Sequence, residues 1–298
     1  MKTEECKGEL LLLNTEKLRP HAFEGCRELQ RVVVQEGVTV LPDYLFAECR
    51  SLVEAELPSS LRELGSHVFY NCRSLVSLSV PAQLVSVGDG AFKNCPLLRN
   101  ITVRGMRAGE DQCVRKILFD IEQETELTLE YDDGTARLVM PQYDYQYVAN
   151  EPARIFSEVS YGTGHYYRKC VNARELQFDT YDRLFPMSCR ENSARTVSEQ
   201  CMARLHFPYR LSGQAADQYR SYLTGHFEET AGRLLAESEL ERAALEKLLW
   251  LGDFGVLTRE TLPRALELAQ AAGNAEAVAW LMEYRSRHFT AERKRFEL

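Results

Sequence analysis

Phe23, Phe46, Phe69 and Phe92 stand 23 residues apart. Three residues after each comes a cysteine (Cys26, Cys49, Cys72, Cys95), and three further on a leucine (Leu29, Leu52, Leu75, Leu98). Two apolar positions separated by one residue follow: Val32 and Val34, Ala55 and Leu57, Leu78 and Val80, Ile101 and Val103. A second apolar pair leads back to the next phenylalanine: Val38 and Leu41, Leu61 and Leu64, Leu84 and Val87. The chain has only 13 phenylalanines and 9 cysteines in 298 residues, so their recurrence in register excludes chance. A period of roughly 20–50 residues is the mark of stacked structural repeats.

The period predicts a coil. The apolar-x-apolar stretch has the two-residue period of a short strand with one face turned inward. Stacked coils pair these strands in parallel, about 4.8 Å apart. Each Phe, Cys and Leu then lies over its equivalent in the next coil, in ladders that no single coil can bury alone. Cysteine is small and apolar enough for such a ladder. Parallel thiol vectors oppose the roughly 90° dihedral of a disulfide, so the four repeat cysteines are expected to be reduced. Pro42, Gly65 and Gly88 share one position, read as a bend.

This pattern, apolar-x-apolar-Pro, then apolar-x-x-apolar-Gly, then Phe-x-x-Cys-x-x-Leu, resembles the BspA-like leucine-rich-repeat family. The resemblance covers about a third of the chain, from Leu11 to Arg104. It implies a right-handed solenoid used for protein contacts, often on bacterial surface proteins. The stretch before Phe23 is a degenerate coil and is expected to act as the N-terminal cap. The fold class expected is α+β. About four coils with parallel strands fill residues 1–104, a connecting and capping β and tyrosine-rich region fills 105–190, and an α-helical domain fills 191–298.

Strand positions pointing away from the core are mostly small and polar. Arg31, Glu54, Glu56 and Arg104 are the candidates there for directional contacts with a partner. Beyond the repeat, Glu126–Tyr131 alternates, Asp132-Asp133-Gly134 turns, and Ala136–Met140 runs back, which predicts a hairpin covering the open end of the solenoid. A tyrosine-rich stretch follows. Tyr143, Tyr145, Tyr147, Tyr161, His165, Tyr166 and Tyr167 are further partner-binding candidates, because tyrosine offers large contact area at low entropic cost. The alternative is that these tyrosines pack structurally. Gly162-Thr163-Gly164 is too short for a phosphate loop and lacks its lysine.

From about Ser193 the apolar period becomes helical. Thr196-x-x-Glu199 and Ser238-x-x-Glu241 read as capping boxes. Val197, Cys201 and Leu205 share one face, and Ala216, Tyr219 and Leu223 another. Leu240, Ala244, Leu245, Leu248 and Leu249 mark a helix closed by Gly252, and Leu262, Leu266 and Ala269 one that turns at Gly273-Asn274 into a return face of Val278, Leu281 and Met282. Gly273–Met282 is similar to the inner helix of an ankyrin-like repeat, without the Thr-Pro-Leu-His signature.

Net charge is −8, and residues 105–150 hold ten acidic against four basic side chains. No basic surplus points to nucleic acid. The acidic segment favours a basic protein partner. The apolar run Leu10–Leu13 is too short for a signal peptide or a membrane span, and Glu4 and Glu5 spoil a cationic lead. The chain as given reads as cytoplasmic, or as extracellular if a signal was removed. No metal, cofactor or catalytic motif stands out. Cys6, Cys113, Cys170, Cys189 and Cys201 form no C-x-x-C pair. The expected function is a protein-interaction or scaffold module, not an enzyme. The alternatives are a small-ligand or catalytic site at the junction of the two domains, with His165 and Cys170, Cys189 or Cys201 as its best groups, and a cell-surface adhesin.

Overall fold

In the computed structural model the coils that begin at Phe23, Phe46 and Phe69 each contribute two short strands, and the flanking stretches one each. In chain order they are β1 (Leu10–Leu13), β2 (Arg31–Val34), β3 (Val40–Leu41), β4 (Glu54–Glu56), β5 (Glu63–Leu64), β6 (Ser77–Pro81), β7 (Ser86–Val87) and β8 (Asn100–Met106). The structure describes residues 10–13, 18–109, 112–150, 155–172, 175–238 and 242–289, with the side chains of 10–13, 145–150 and 155–159 outside the description. β1, β2, β4, β6 and β8 pair in parallel, one period apart, so that Val32 lies beside Ala55, Leu78 and Ile101 in turn. β3, β5 and β7 make a second, three-stranded sheet. The alternating positions behave as the period demands: Val32, Ala55, Leu78 and Ile101 are buried, while their neighbours Glu54, Glu56, Ser77 and Ser79 are half-buried.

The ladders are continuous. The rings of Phe23, Phe46, Phe69 and Phe92 stack at 5.8, 5.5 and 5.8 Å between centroids. Each inner cysteine donates its S–H to the phenylalanine carbonyl of the preceding coil: Cys49 to Phe23 (3.1 Å), Cys72 to Phe46 (3.2 Å) and Cys95 to Phe69 (3.0 Å). Burial pushes the Cys49 and Cys95 thiols up to about 12. These three are free thiols, as expected. Cys26 is not: it is disulfide-bonded, with a partner outside the described residues. The expectation of four reduced ladder cysteines fails at the first coil. Parallel thiol vectors oppose bonding only between neighbouring rungs, and Cys26 stands at the ladder's end.

Gly65 and Gly88 sit where successive coils come closest. A Cβ on Gly88 would lie 2.4 Å from the Ser66 nitrogen and 2.5 Å from the Gly65 carbonyl carbon. The position needs glycine for close approach rather than for a bend. The left-handed turns lie elsewhere, at His21, Tyr44 and His67 (φ 59, 56 and 58°) and again at Glu48, Asn71 and Asn94 (φ 61, 58 and 61°). The rings of His21, Tyr44 and His67 stack at 4.7 and 4.8 Å, a second aromatic ladder outside the core.

The sheet does not stop with the repeat. After helix α1 (Gln112–Leu118), the hairpin β9 (Thr125–Tyr131) and β10 (Gly134–Met140) joins it, giving the order β1-β2-β4-β6-β8-β9-β10. β9 runs parallel to β8. The backbone ladder Val53 N to Gln30 O (2.7 Å), Val76 N to Val53 O (2.8 Å) and Arg99 N to Val76 O (3.1 Å) continues with Glu126 N to Arg99 O (2.6 Å). Side chains replace the missing fifth coil. Inner phenylalanine N–H groups donate to the next coil, Phe46 to Val68 O and Phe69 to Ala91 O at 2.9 Å. Phe92 donates to the Asp120 carboxylate at 3.4 Å instead. Gln123 donates to the Cys95 and Leu98 carbonyls at 2.9 and 3.1 Å. Burial beside this cap pushes the Asp120 carboxyl above its usual range.

Further on come the hairpin β11 (Asp144–Asn150) and β12 (Ile155–Tyr161) and the short helices α2 (Gly164–Lys169), α3 (Phe178–Arg183) and α4 (Phe185–Glu191). The chain divides into two compact units at this point, Met1–Asn192 and Ser193–Leu298. The second unit is helical: α5 (Ala194–His206), α6 (Gly213–Gly225), α7 (Phe227–Ser238), α8 (Arg242–Asp253), α9 (Thr261–Ala271) and α10 (Ala275–His288). α5 begins one residue after Ser193, whose hydroxyl accepts from Thr196 N at 3.2 Å, so the cap is Ser193 rather than Thr196. Leu240 and Glu241, expected in a cap and a helix start, lie outside the described residues. Gly252 does not close α8. It lies within the helix, and its carbonyl accepts from the Tyr284 hydroxyl at 3.1 Å. Asn274 caps α10, accepting from Ala277 N at 2.9 Å. Glu199 takes Arg233 at 2.9 Å and Lys247 at 2.6 Å, tying α5 to α7 and α8.

Candidate interaction surface

The register of β2, β4, β6, β8, β9 and β10 arrays two rows of outward positions. One runs Arg31, Glu54, Ser77, Asn100 and Glu126 and ends at Val139, which is buried; the other runs Val33, Glu56, Ser79, Thr102, Thr128 and Arg137. The middle of the face is small and hydroxylic. Its charges pair with one another: Arg31 with Glu54 (3.1 Å) and Glu56 (3.6 Å), Arg104 with Glu56 (3.4 Å), and Arg137 with Glu126 (3.3 Å). Arg104 also donates to the Leu57 carbonyl. The four charged candidates are therefore brought together as one network. Such pairs at the surface, exposed to half-buried, add little stability, about 0–1 kcal/mol each. What they do is neutralise the face.

Sequence reading ended this face at Arg104. The hairpin extends it by Glu126, Thr128, Glu130 and Arg137. The alternation in Glu126–Tyr131 already placed these residues opposite Leu127 and Leu129, but nothing in it showed that the hairpin joins the same sheet.

The tyrosine-rich stretch splits. Tyr143 and Tyr167 are buried, 4% and 1% exposed, and cannot touch a partner. Tyr143 lies under the Arg168 guanidinium, 4.5 Å from the ring centroid. Tyr167 packs edge-on against Tyr181 at 4.8 Å. The Tyr181 hydroxyl donates to Val139 O (2.8 Å) and accepts from Val139 N (3.1 Å), which satisfies the outer edge of β10. Arg168 donates to four backbone carbonyls: Ile121 (2.9 Å), Pro141 (2.7 Å), Gln123 (2.9 Å) and Gly164 (3.2 Å). Tyrosine at these positions is structural because the turn packs directly on the end of β10. A Cβ on Gly164 would stand 2.1 Å from Pro141 O. Tyr145 and Tyr147 pair in β11 with Ser160 and Glu158, and their side chains lie outside the described residues.

Tyr161 and Tyr166 remain at the surface, 50% and 45% exposed. His165 lies between them, its ring 3.7 Å from that of Tyr166. Burial lowers the His165 pKa, and its Nδ1 is 3.1 Å from Gly162 O. Cys170, its suggested partner, is fully buried, and its Sγ points at Tyr166 O, 3.7 Å away. Burial pushes that thiol up to about 12, the opposite of what a nucleophile requires. Burial also raises the Cys189 thiol, and Cys201 is wholly buried.

Residues 13–113 match the model of the BspA type leucine-rich repeat region, in six copies. The N-terminal third of the chain is a BspA-type leucine-rich-repeat region. Among solved structures the chain is similar to the pneumococcal vaccine antigen PcpA, at 21% identity over 42% of this chain and 29% of that one, TM-score 0.32. It is similar to a leucine-rich cell surface protein from Faecalibacterium prausnitzii A2-165, at 27% identity over 44% and 26% of the two chains, TM-score 0.27. It is also similar to the leucine-rich repeat protein of T. pallidum, at 22% identity over 42% and 71%, TM-score 0.27. The chain spans less than a third of the length of the first two. No curated protein matches it. The repeat match ends at residue 113, so the ankyrin-like resemblance of the helical unit rests on residue pattern alone. Among the described residues no helix is long and apolar enough to cross a membrane.

Proposed function

We propose that the chain is a protein-binding module whose contact surface is the outer face of the seven-stranded sheet. Leucine-rich-repeat proteins in general are protein-binding or scaffold modules, and the matched region is a third of this chain. The observation that carries the reading is the unbroken sheet. Seven strands at about 4.8 Å spacing span about 29 Å. With strands of about 13–23 Å this gives on the order of 400–600 Å². A stable contact takes about 800 Å² per partner. The turn bearing Tyr161, His165 and Tyr166 sits at the end of edge strand β10 and supplies the remaining area, with the aromatic side chains that the face lacks. Because the network of Arg31, Glu54, Glu56 and Arg104 is already paired, its role is specificity rather than affinity. The acidic surplus of residues 105–150 favours a basic partner by steering.

No group among the suggested catalytic residues is poised for chemistry, so we place the enzyme reading second. For the compartment we favour the extracellular reading over the cytoplasmic one, because Cys26 is disulfide-bonded.

Affinity capture with two variants tests the surface. Ser79→Arg with Thr102→Arg puts two long side chains in the middle of the face without touching the core. Tyr161→Ala with Tyr166→Ala removes the aromatic rim. The first should weaken capture at least tenfold, about 1.4 kcal/mol. The second should weaken it less. A partner retained in full by the arginine variant binds elsewhere, and the proposal fails.

A further inference from the structure

One corner of the solenoid is basic, although the chain carries a net charge of −8. The corner is the turn between each phenylalanine and the next strand, residues 24–30, 47–53, 70–76 and 93–99. An arginine follows the cysteine in three of these turns (Arg27, Arg50, Arg73), and the fourth carries Lys93 and Arg99. The first turn opposes its arginine with Glu24 and Glu28, and the second with Glu48. Residues 70–76 and 93–99 contain no acidic side chain. Positive charge therefore accumulates from coil to coil toward the end of the repeat.

Stacking sets these groups side by side. Glu48 N donates to Tyr70 O (2.7 Å) and Asn71 N to Lys93 O (3.1 Å) on one side of the turn. Val76 N donates to Val53 O (2.8 Å) and Arg99 N to Val76 O (3.1 Å) on the other. Coils bonded in this way hold equivalent residues about 5 Å apart. Like charges at that spacing repel unless an anion lies between them. Arg50 has one, Glu48 at 2.8 Å. Arg73, Lys93 and Arg99 are exposed and make no ion pair among the described residues. The Asp120 charge acts on Lys93 from the end cap, but that carboxylate is half-buried and already accepts from Phe92 N. The same turns present aliphatic side chains: Val53 and Leu97 are each 42% exposed, and Val76 is half-buried.

We propose that this corner docks an acidic segment of a partner protein, one that carries apolar residues between its carboxylates. Each free guanidinium offers a carboxylate two parallel N–H donors. Val53, Val76 and Leu97 cover the apolar side chains in between. Aliphatic groups offer nothing to the sugar-phosphate chain of a nucleic acid, whose bases need rings to stack on. The one aromatic side chain of the corner, Tyr70, is half-buried and meets His67 edge-on. A flat anionic membrane would meet the carboxylates of Glu28, Glu48 and Glu54 beside the cations, whereas a narrow peptide avoids them. Val53, Val76 and Arg99 directly precede Glu54, Ser77 and Asn100 on the sheet, so the corner borders the sheet face, yet its binding does not depend on that face.

The test is a titration of the full chain, up to about 1 mM, into a short fluorescein-labelled peptide of alternating Glu and Leu, read by anisotropy. The peptide should bind, and binding should weaken severalfold as salt rises from about 50 to about 200 mM. Arg73→Glu with Arg99→Glu should weaken it at least about tenfold, with the melting curve unchanged because neither side chain is buried or ion-paired. Val53→Ser with Leu97→Ser should weaken it about threefold and leave the salt dependence as it was. A peptide of alternating Gln and Leu should not bind. If the double charge reversal melts early, Arg73→Gln with Arg99→Gln, which adds no new charge, carries the same test. Failure of the Glu–Leu peptide to bind, equal binding of the Gln–Leu peptide, or binding that survives loss of both arginines would overturn the proposal. So would tighter binding to phosphatidylglycerol vesicles or to oligothymidylate, which would make the corner a membrane or nucleic-acid surface instead.

Discussion

Replacing Phe69 by alanine is expected to destabilise the repeat unit by about 3–5 kcal/mol. Its ring is fully buried and stacks on two others, Phe46 at 5.5 Å and Phe92 at 5.8 Å. The truncation leaves a void in the middle of a ladder, and a linear stack transmits the loss to both neighbouring interfaces. Phe23 stacks on Phe46 alone among the described rings, so Phe23→Ala should cost less. In thermal melts Phe69→Ala should lower Tm by about 10 °C or more. A shift under about 2 °C, or a larger loss from Phe23→Ala, would mean that the ladder is not what holds the coils together.

Arg168→Ala is the second large effect. The guanidinium ties together Ile121 and Gln123 before β9, Pro141 after β10, and Gly164 in its own helix, and covers the Tyr143 ring. Hydrogen bonds to a charged donor contribute about 1.5–3 kcal/mol each, and carbonyls left without a partner add a penalty. The bonds share one side chain and are not additive, so a total near 3–4 kcal/mol is expected. Lysine keeps the charge but loses the planar fork, so Arg168→Lys should recover less than half of the loss. Chemical denaturation of the three proteins measures this. Full recovery by lysine would show that charge alone matters there.

The repeat was legible because its signal is redundant. Phe69, Cys72, Leu75, Leu78 and Val80 each recur at the same spacing, and stacking converts that spacing directly into a buried ladder. The hairpin was legible through local alternation and a turn. Its membership of the sheet was not, since the pairing of β8 with β9 is a contact between segments of different character. The two readings of the tyrosines could not be separated for a related reason. Composition shows that tyrosine is abundant from 143 to 181, but which rings are buried depends on Gly164 approaching Pro141 and on Arg168 reaching four carbonyls. Arg168 itself sits in an ordinary polar helix and gives no periodic signal. The disulfide at Cys26 was not legible because parallel thiol vectors oppose bonding only between rungs of the ladder, and Cys26 stands at its end. In the helical unit the buried faces of α6 and α9 followed the 3.6 period, but α5 buries Gln200, Cys201, Met202, Ala203 and Arg204 in a row and leaves Leu205 half-buried, and Met282, expected in the core, is 49% exposed.

The account stands or falls on the sheet running unbroken from the coils into the hairpin, because the proposed surface needs all seven strands. Amide hydrogen exchange resolved at Val76, Arg99 and Glu126 measures this. Their N–H groups donate in turn to Val53, Val76 and Arg99. In one continuous sheet Glu126 exchanges as slowly as Arg99 and Val76, through the same cooperative opening. Exchange at Glu126 at the rate of an exposed loop, with Val76 and Arg99 still protected, would show that the hairpin is a separate flap and that the face ends at β8.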